Sequence, residues 1–212
     1  MKQSLSSQDL LAALTKMAED LPGEAERLRD LDAAIGDGDL GVTITIGFEA
    51  VAKGLADLQD ADPSTILLKS GMTFNRQAAS TFGALFATMM MGAAKAVKGV
   101  DELGTGEVAA MLNAAFEGVK KRGKASAGDK TLLDALIPAA EAMSFAAAQD
   151  SPMPEALQRA ASAAEEGVAS TVEMKSKIGR ASWFADRTVG VADPGATPVS
   201  LMLTSFSEYV QG

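Results

Sequence analysis

Apolar residues return every three or four positions through most of the chain, and this spacing constrains its fold more than any other feature. Leu10, Leu11, Leu14, Met17 and Leu21 form one such series. Phe48, Val51, Ala52, Leu55 and Leu58 form a second, and Leu157, Ala161, Ala164, Val168 and Thr171 a third. Each series lines one face of a helix, and no stretch alternates as a half-buried strand does. Aromatic residues make up only 5% against 47% hydrophobic overall, so Ala, Leu, Met and Gly must fill the interior. That composition favours closely packed helices over a sheet, which needs more Val, Ile, Tyr and Phe. The 212 residues carry no low-complexity tract, repeat or evident linker. We therefore expect one all-α domain spanning 1–212, with about eight to nine helices.

The helix limits follow from capping and breaking residues. Ser6 or Ser7 opens the first helix, which runs through LLAALTKMAEDL until Pro22-Gly23 breaks it. EAERLRDLDAAI is the second, and the third starts between Gly41 and Thr43. Asp62-Pro63 opens a fourth, ILLKSGMTFNRQ. A small-residue junction, AASTFGA, leads to a fifth, LFATMMMGAAKAV. The junction reads as a helix-packing device or as a phosphate-facing turn, and packing is preferred. EVAAMLNAAFEGVKKR is the sixth. Asp129 is expected to cap the seventh, which Pro138 should kink. PEALQRAASAAEEGVASTVEM is the eighth. A long loop, KSKIGRASWFADRTVGVADPGATPVS, carries the densest basic run and the only Trp, and loops of this length are often functional. Asp193-Pro194-Gly195 then opens the last helix.

The chemistry concentrates in LDAAIGDGDLGVT, residues 31–43. Asp32, Asp37 and Asp39 fall within eight residues and are interleaved with Gly36, Gly38 and Gly41. Side by side, three carboxylates repel unless a cation lies between them, and their hard oxygens suit magnesium or calcium. An ordinary Asp/Gly surface turn is the alternative. An EF-hand frame fails, because Val42 stands where its glycine must be. Magnesium takes few protein carboxylates and completes its shell with water and phosphate oxygens. The loop also runs into a helix start, where backbone amides and the helix dipole favour phosphate. A second glycine stretch, Gly123 to Thr131, is not a Walker A loop, since Asp129 interrupts the required Gly-Lys pair.

Composition excludes other classes. With no Cys and no His, disulfides, thiolate nucleophiles, phosphohistidine and imidazole ligands are all ruled out, and a reduced cytoplasm is the expected setting. The net charge of −9 argues against nucleic acid and anionic membranes as partners. The most apolar run, Phe82 to Val97, is interrupted by Lys95 and is shorter than the ~20 residues of a membrane span.

Several separated motifs then coincide. LDAAIGDGDLGVT, SGMT, GALF, RGKASAGDKTLLDALIPAAEAM, GRAS and DPGAT, in that order, resemble the nucleotide-binding L subunit of dihydroxyacetone kinases, the DhaL or Dak2 domain. The resemblance covers almost the whole chain. It implies a barrel of eight antiparallel helices with a nucleotide at one end. It further implies that Asp32, Asp37 and Asp39 hold two magnesium ions bridging the phosphates of ADP or ATP. Carried over by position, Leu40, Gly41, Val42 and Thr43 lie beside the nucleotide, with Thr81 and Phe82 at the junction. Gly123 and Leu132 flank the base, Arg180 approaches the β-phosphate, and Asp193, Pro194 and Gly195 close the pocket. Leu40 stands where phosphoenolpyruvate-dependent members often have His, and Phe82 where a small hydroxyl residue is common. Many members with the GDGD form use ATP directly, and the resemblance leans towards ATP as direct donor. The implied activity is phosphoryl transfer to a small ketose, dihydroxyacetone or a related triose or tetrose. The ketose is held by a separate DhaK-like K subunit, with a phosphoenolpyruvate-system phosphocarrier as a further partner and a homodimer as the assembly. No residue of this chain is assigned as a catalytic base. The alternatives are a nucleotide-binding regulatory module without transfer activity, and a helical packing domain enclosing a lipid.

Overall fold

The structure is a computed structural model and describes residues 3–212, apart from the side chains of Arg180 and Ala185. Nine α-helices are present among the described residues: α1 (Ser7–Asp20), α2 (Ala25–Ile35), α3 (Leu40–Leu55), α4 (Pro63–Gln77), α5 (Thr81–Ala96), α6 (Thr105–Gly123), α7 (Leu133–Ala148), α8 (Met153–Ser170) and α9 (Ala196–Gln211). The only extended pairing among those residues is an isolated bridge between Leu5 and Leu103. None of the helices is long and apolar enough to cross a membrane.

Consecutive helices from α3 to α9 pack on one another, α9 packs on α1, and α1 packs on α3, so eight helices close a ring. Neighbours run antiparallel. The Ser64 hydroxyl at the start of α4 donates to Ala94 O near the end of α5, and the Gln211 amide at the end of α9 donates to Gln158 early in α8. α2 stands outside the ring and packs on the start of α3. Leu14, Phe48, Phe86, Met111, Leu136 and Leu203 are among the buried residues that fill the barrel. Aromatic packing concentrates in one cluster, where Phe74 meets Phe86 at 4.5 Å and Phe82 at 6.2 Å between centroids. An apolar cavity of about 120 Å³ remains along the axis. That is well below the ~300 Å³ at which ligand pockets begin, which counts against the lipid-enclosing alternative.

The helix starts use the expected chemistry in most places. Ser6 and Asp9 form a capping box, and Asp62 accepts from Thr65 N at 3.0 Å. Four expectations need correction. Pro22-Gly23 does not break the chain away: Leu21–Glu24 forms a 3-10 turn that passes directly into α2, because Pro fits a first helical turn. α5 starts at Thr81 rather than Leu85, with the Ser80 hydroxyl accepting from Gly83 N at 2.9 Å. The long basic loop contains a nine-residue 3-10 helix, Arg180–Thr188. Asp129 does not cap α7, which begins four residues later; its carboxylate accepts from Ser126 N instead. Asp134, inside the first turn of α7, takes the amides of Gly128 and Thr131.

Pro138 lies inside α7. It has no N–H to bond the carbonyl of Asp134 one turn earlier. α8 closes on that carbonyl: a Cβ built on Gly167 would lie 2.2 Å from Asp134 O. The breaker and the glycine thus act as a pair that lets two backbones approach.

Candidate nucleotide and metal site

An antiparallel ring puts alternate connections at the same end. The α2–α3, α4–α5, α6–α7 and α8–α9 connections share one end of the barrel. All the residues singled out from the sequence sit in or beside those four connections.

Asp32 lies in the last turn of α2. Its Oδ2 accepts the backbone N–H of Asp39 at 2.9 Å and of Leu40 at 3.3 Å, so a carboxylate from one helix caps the next. The α3 dipole favours negative charge at this position. The intervening turn depends on Gly36 and Gly38. A Cβ on Gly36 would fall 2.4 Å from Asp32 Oδ1, and Gly38 has φ +73°. With the turn held in this way, Asp32, Asp37 and Asp39 each present an oxygen within 4.8 Å of the others. Asp32 is half-buried; Asp37 and Asp39 are exposed. Three carboxylates on one open side match magnesium, which keeps room for water and phosphate oxygens.

At the start of α3 the positions divide. Leu40 is 6% exposed and belongs to the core, so only its backbone faces the loop. Gly41 passes against α2: a Cβ there would lie 2.2 Å from Ala25 O. Val42 is 59% exposed, and Thr43 is buried with its amide bonded to Asp39 O at 2.9 Å. The same division holds at α5. Thr81 is exposed, whereas Phe82 is buried against Phe74. Phe82 can therefore offer a ligand only its first-turn backbone. The junction is the close-packed corner preferred from the sequence, and it opens α5 at the end of the barrel that carries the aspartates.

Gly123 ends α6, and the chain turns left-handed at Lys124. Leu132 is buried, and its Cβ lies 3.6 Å from where a Cβ on Gly195 would stand, so the α6–α7 and α8–α9 connections meet there. Pro194 is buried beside them. Arg180 opens the 3-10 helix at residues 180–188; its side chain lies outside the described residues.

Asp193 is almost wholly buried. Its backbone N–H donates to the Thr171 hydroxyl at 2.8 Å, and its Oδ2 accepts from Ala196 N at 2.7 Å. Burial pushes this carboxyl up from 3.8 to about 7. The Ala196 amide opposes the shift, the nearby Asp134 adds to it, and Lys130 opposes it. The folded state thus holds a proton that the unfolded chain releases near pH 4. The contribution of this group to stability is greatest below that pH and falls as pH climbs towards 7. Asp193→Asn keeps the acceptor but loses this dependence. Melting temperatures taken from pH 5 to 7 should move steadily in favour of Asp193→Asn relative to the parent, by several degrees in total, and the difference should level off above pH 7. A constant difference across that range would rule out a proton held at Asp193.

Sequence reasoning missed Lys130 and Asp134. Lys130 is 1% exposed, and its ammonium donates to the carbonyls of Met174, Thr188 and Val191. Lys130 stands in the stretch already discounted as a Walker A loop, and Asp134 lies three residues beyond it. A charged residue directly before an apolar helix start was the one available signal.

The DAK2 domain family model matches residues 34–208 of the chain. The chain belongs to this family. Over 200 residues it is 36% identical to the Escherichia coli K12 protein named PEP-dependent dihydroxyacetone kinase, ADP-binding subunit DhaL, covering 94% of this chain and 95% of that one. A Listeria innocua PEP-dependent dihydroxyacetone kinase ADP-binding subunit is 34% identical over 190 residues, covering 89% and 88%. The D-erythrulose kinase of Mycolicibacterium smegmatis is 31% identical over 200 residues, which are 93% of this chain but 34% of that protein. The DAK2 fold is seen again in the solved dihydroxyacetone kinase of C. freundii in complex with AMP-PNP and Mg2+. The TM-score is 0.71 at 24% identity, over 98% of this chain and 35% of that one. The chain spans about a third of that larger kinase.

Proposed function

We propose that this DAK2 domain is the nucleotide-binding subunit of a dihydroxyacetone-type kinase, working in the cytoplasm. It presents a magnesium nucleotide to a ketose held by a separate K subunit. The carrying observation is the carboxylate trio at the open end of the barrel, gathered where α3 begins. Asp32, Asp37 and Asp39 would hold magnesium, two ions in this reading, and the metal would neutralise the phosphates of ADP or ATP. The chain's own groups do the rest. First-turn amides of α3, at Gly41 and Val42, and of α5, at Thr81 and Phe82, offer donors outside the helical ladder to anionic oxygens, while the Leu40 amide is taken by Asp32. Thr43 closes the first α3 turn. Gly123, Leu132 and the Asp193–Gly195 turn wall the base side, and Arg180 serves the phosphates. With no histidine here, this chain offers no imidazole to take the proton of the ketose hydroxyl.

The relatives that match over nearly their whole length are named as PEP-dependent. This supports a nucleotide recharged by a phosphocarrier subunit, against the sequence's lean to direct use of ATP. A homodimer is the assembly we propose for the isolated chain.

One assay tests both halves of the reading. The chain is mixed with a K-type subunit, magnesium and dihydroxyacetone or erythrulose. One arm receives ATP and the other ADP with a phosphoenolpyruvate relay. Phosphorylated ketose should form in one arm and require both this chain and magnesium. Tight magnesium-ADP binding with no transfer in either arm would leave the regulatory-module reading in its place.

A further inference from the structure

The segment between α8 and α9, residues 171–195, crosses the site end as a strap. Its ends are bonded to each other: Gly190 N donates to Val172 O at 2.8 Å and Ser176 N to the Thr188 hydroxyl at 3.0 Å. Its 3-10 helix, Arg180–Thr188, packs on α2, the helix that carries Asp32. Lys130 reaches into this strap from the α6–α7 connection. A protonated amine has three donors and no acceptor. Here the donors go to Met174 O at 3.0 Å, Thr188 O, and Val191 O at 2.6 Å. The three carbonyls come from both limbs of the strap. Burial pushes the pKa of this amine down, and Glu173 opposes that with a nearby opposite charge.

A lysine this deeply buried is costly unless its donors are all satisfied. Its backbone is costly too, since Lys130 has φ +60°, a left-handed conformation that strains a residue bearing a Cβ. The turn that presents it is fixed by Asp134, and a second tie runs beside it: Lys177 N donates to Asp129 O at 3.1 Å and Lys177 Nζ to Gly128 O at 2.8 Å. The carboxylate trio does not use Lys130, and the reading above gives it no part.

We propose that Lys130 is a positioning residue: its buried ammonium clamps both limbs of the strap to the α6–α7 connection and so holds the Arg180–Thr188 helix against α2 at the nucleotide end. The proposal rests on the nucleotide reading for its consequence, but the clamp itself can be judged without it.

The test uses the full chain with Lys130→Ala and Lys130→Met. Both should keep the parent's helical circular dichroism. Both should bind magnesium-ADP at least tenfold more weakly. Both should also be cut by trypsin at least tenfold faster within the strap, where Lys175, Lys177 and Arg187 are exposed. Adding ethylammonium to Lys130→Ala should restore most of the affinity and slow the cutting. Tetramethylammonium has no N–H and should do neither. Lys130→Met fills the space and should not respond to either. Rescue that depends on both donor and space is not expected of a residue that only packs. Parental affinity and parental proteolysis in Lys130→Ala would overturn the proposal, as would equal rescue by both cations. If neither variant folds, hydrogen exchange on the parent decides. The amides of Ser176 and Gly190 should be protected like those of α8, and exchange at the rate of an open chain would end the proposal. A parent that fails to bind magnesium-ADP defeats the nucleotide reading, while proteolysis and exchange still judge the clamp.

Discussion

Asp37→Ala should weaken magnesium-dependent ADP binding by about 100-fold or more. Asp37 is exposed, and its oxygen lies within 4.8 Å of those of Asp32 and Asp39. With metal bound, the substitution removes one of three anionic ligands. A 100-fold loss corresponds to about 2.7 kcal/mol of binding free energy. The contrast is sharpest in thermal melts. Magnesium-ADP at about 100 times its Kd should stabilise the parent by about 2.7 kcal/mol, and the same concentration should leave Asp37→Ala almost unmoved. Calorimetry that returned parental affinity for Asp37→Ala would refute the metal site and with it the kinase reading. Asp32→Ala is a less clean probe, because Asp32 also caps α3 through the amides of Asp39 and Leu40.

The second large effect concerns Gly41. An alanine Cβ there would lie 2.2 Å from Ala25 O and 3.0 Å from the carbonyl carbon. Neither atom can swing aside as a side chain would, so α2 and the start of α3 must separate. Overpacking of this kind costs ~3 kcal/mol, equivalent to about 6–12 °C in the melting temperature of a chain this size. Because α2 carries Asp32, affinity for magnesium-ADP should fall together with stability. Gly54, in the last turn of the same helix, is the control. A Cβ there would make ordinary contact with Thr73 Cγ2 at 3.7 Å, so Gly54→Ala should be neutral or stabilising by up to ~1 kcal/mol. Equal melting temperatures for Gly41→Ala and the parent would show that the α2–α3 contact is loose.

These two glycines mark how far the residues alone could be read. In the sequence Gly41 belongs to a flexible, phosphate-facing loop. In the fold it is a packing residue inside a helix, and the freedom to bend lies with Gly36 and Gly38. The aspartate trio was legible because its members are neighbours in the chain, and local spacing alone brings carboxylates together. Lys130 was not legible, since its three acceptors lie 44 to 61 residues away. Asp129 reads as the cap of α7 by its position, and only the folded turn shows its carboxylate on Ser126 N and that of Asp134 on the amides of Gly128 and Thr131. Leu40 and Phe82 carry the same lesson. Position assigned them to the site, and burial sends their side chains to the core while leaving their amides at the helix starts.

What the residues determined by themselves was local: helical periodicity, most of the caps, the absence of histidine and cysteine chemistry, and one cluster of acids in a bendable loop. Only the tertiary structure decided which connections share an end of the barrel, which side chains at those connections are buried, and that one buried ammonium ties the long strap down. Periodicity and capping act over a few residues, so they can be read from the chain directly. Burial and long-range hydrogen bonds exist only once the ring of helices has closed.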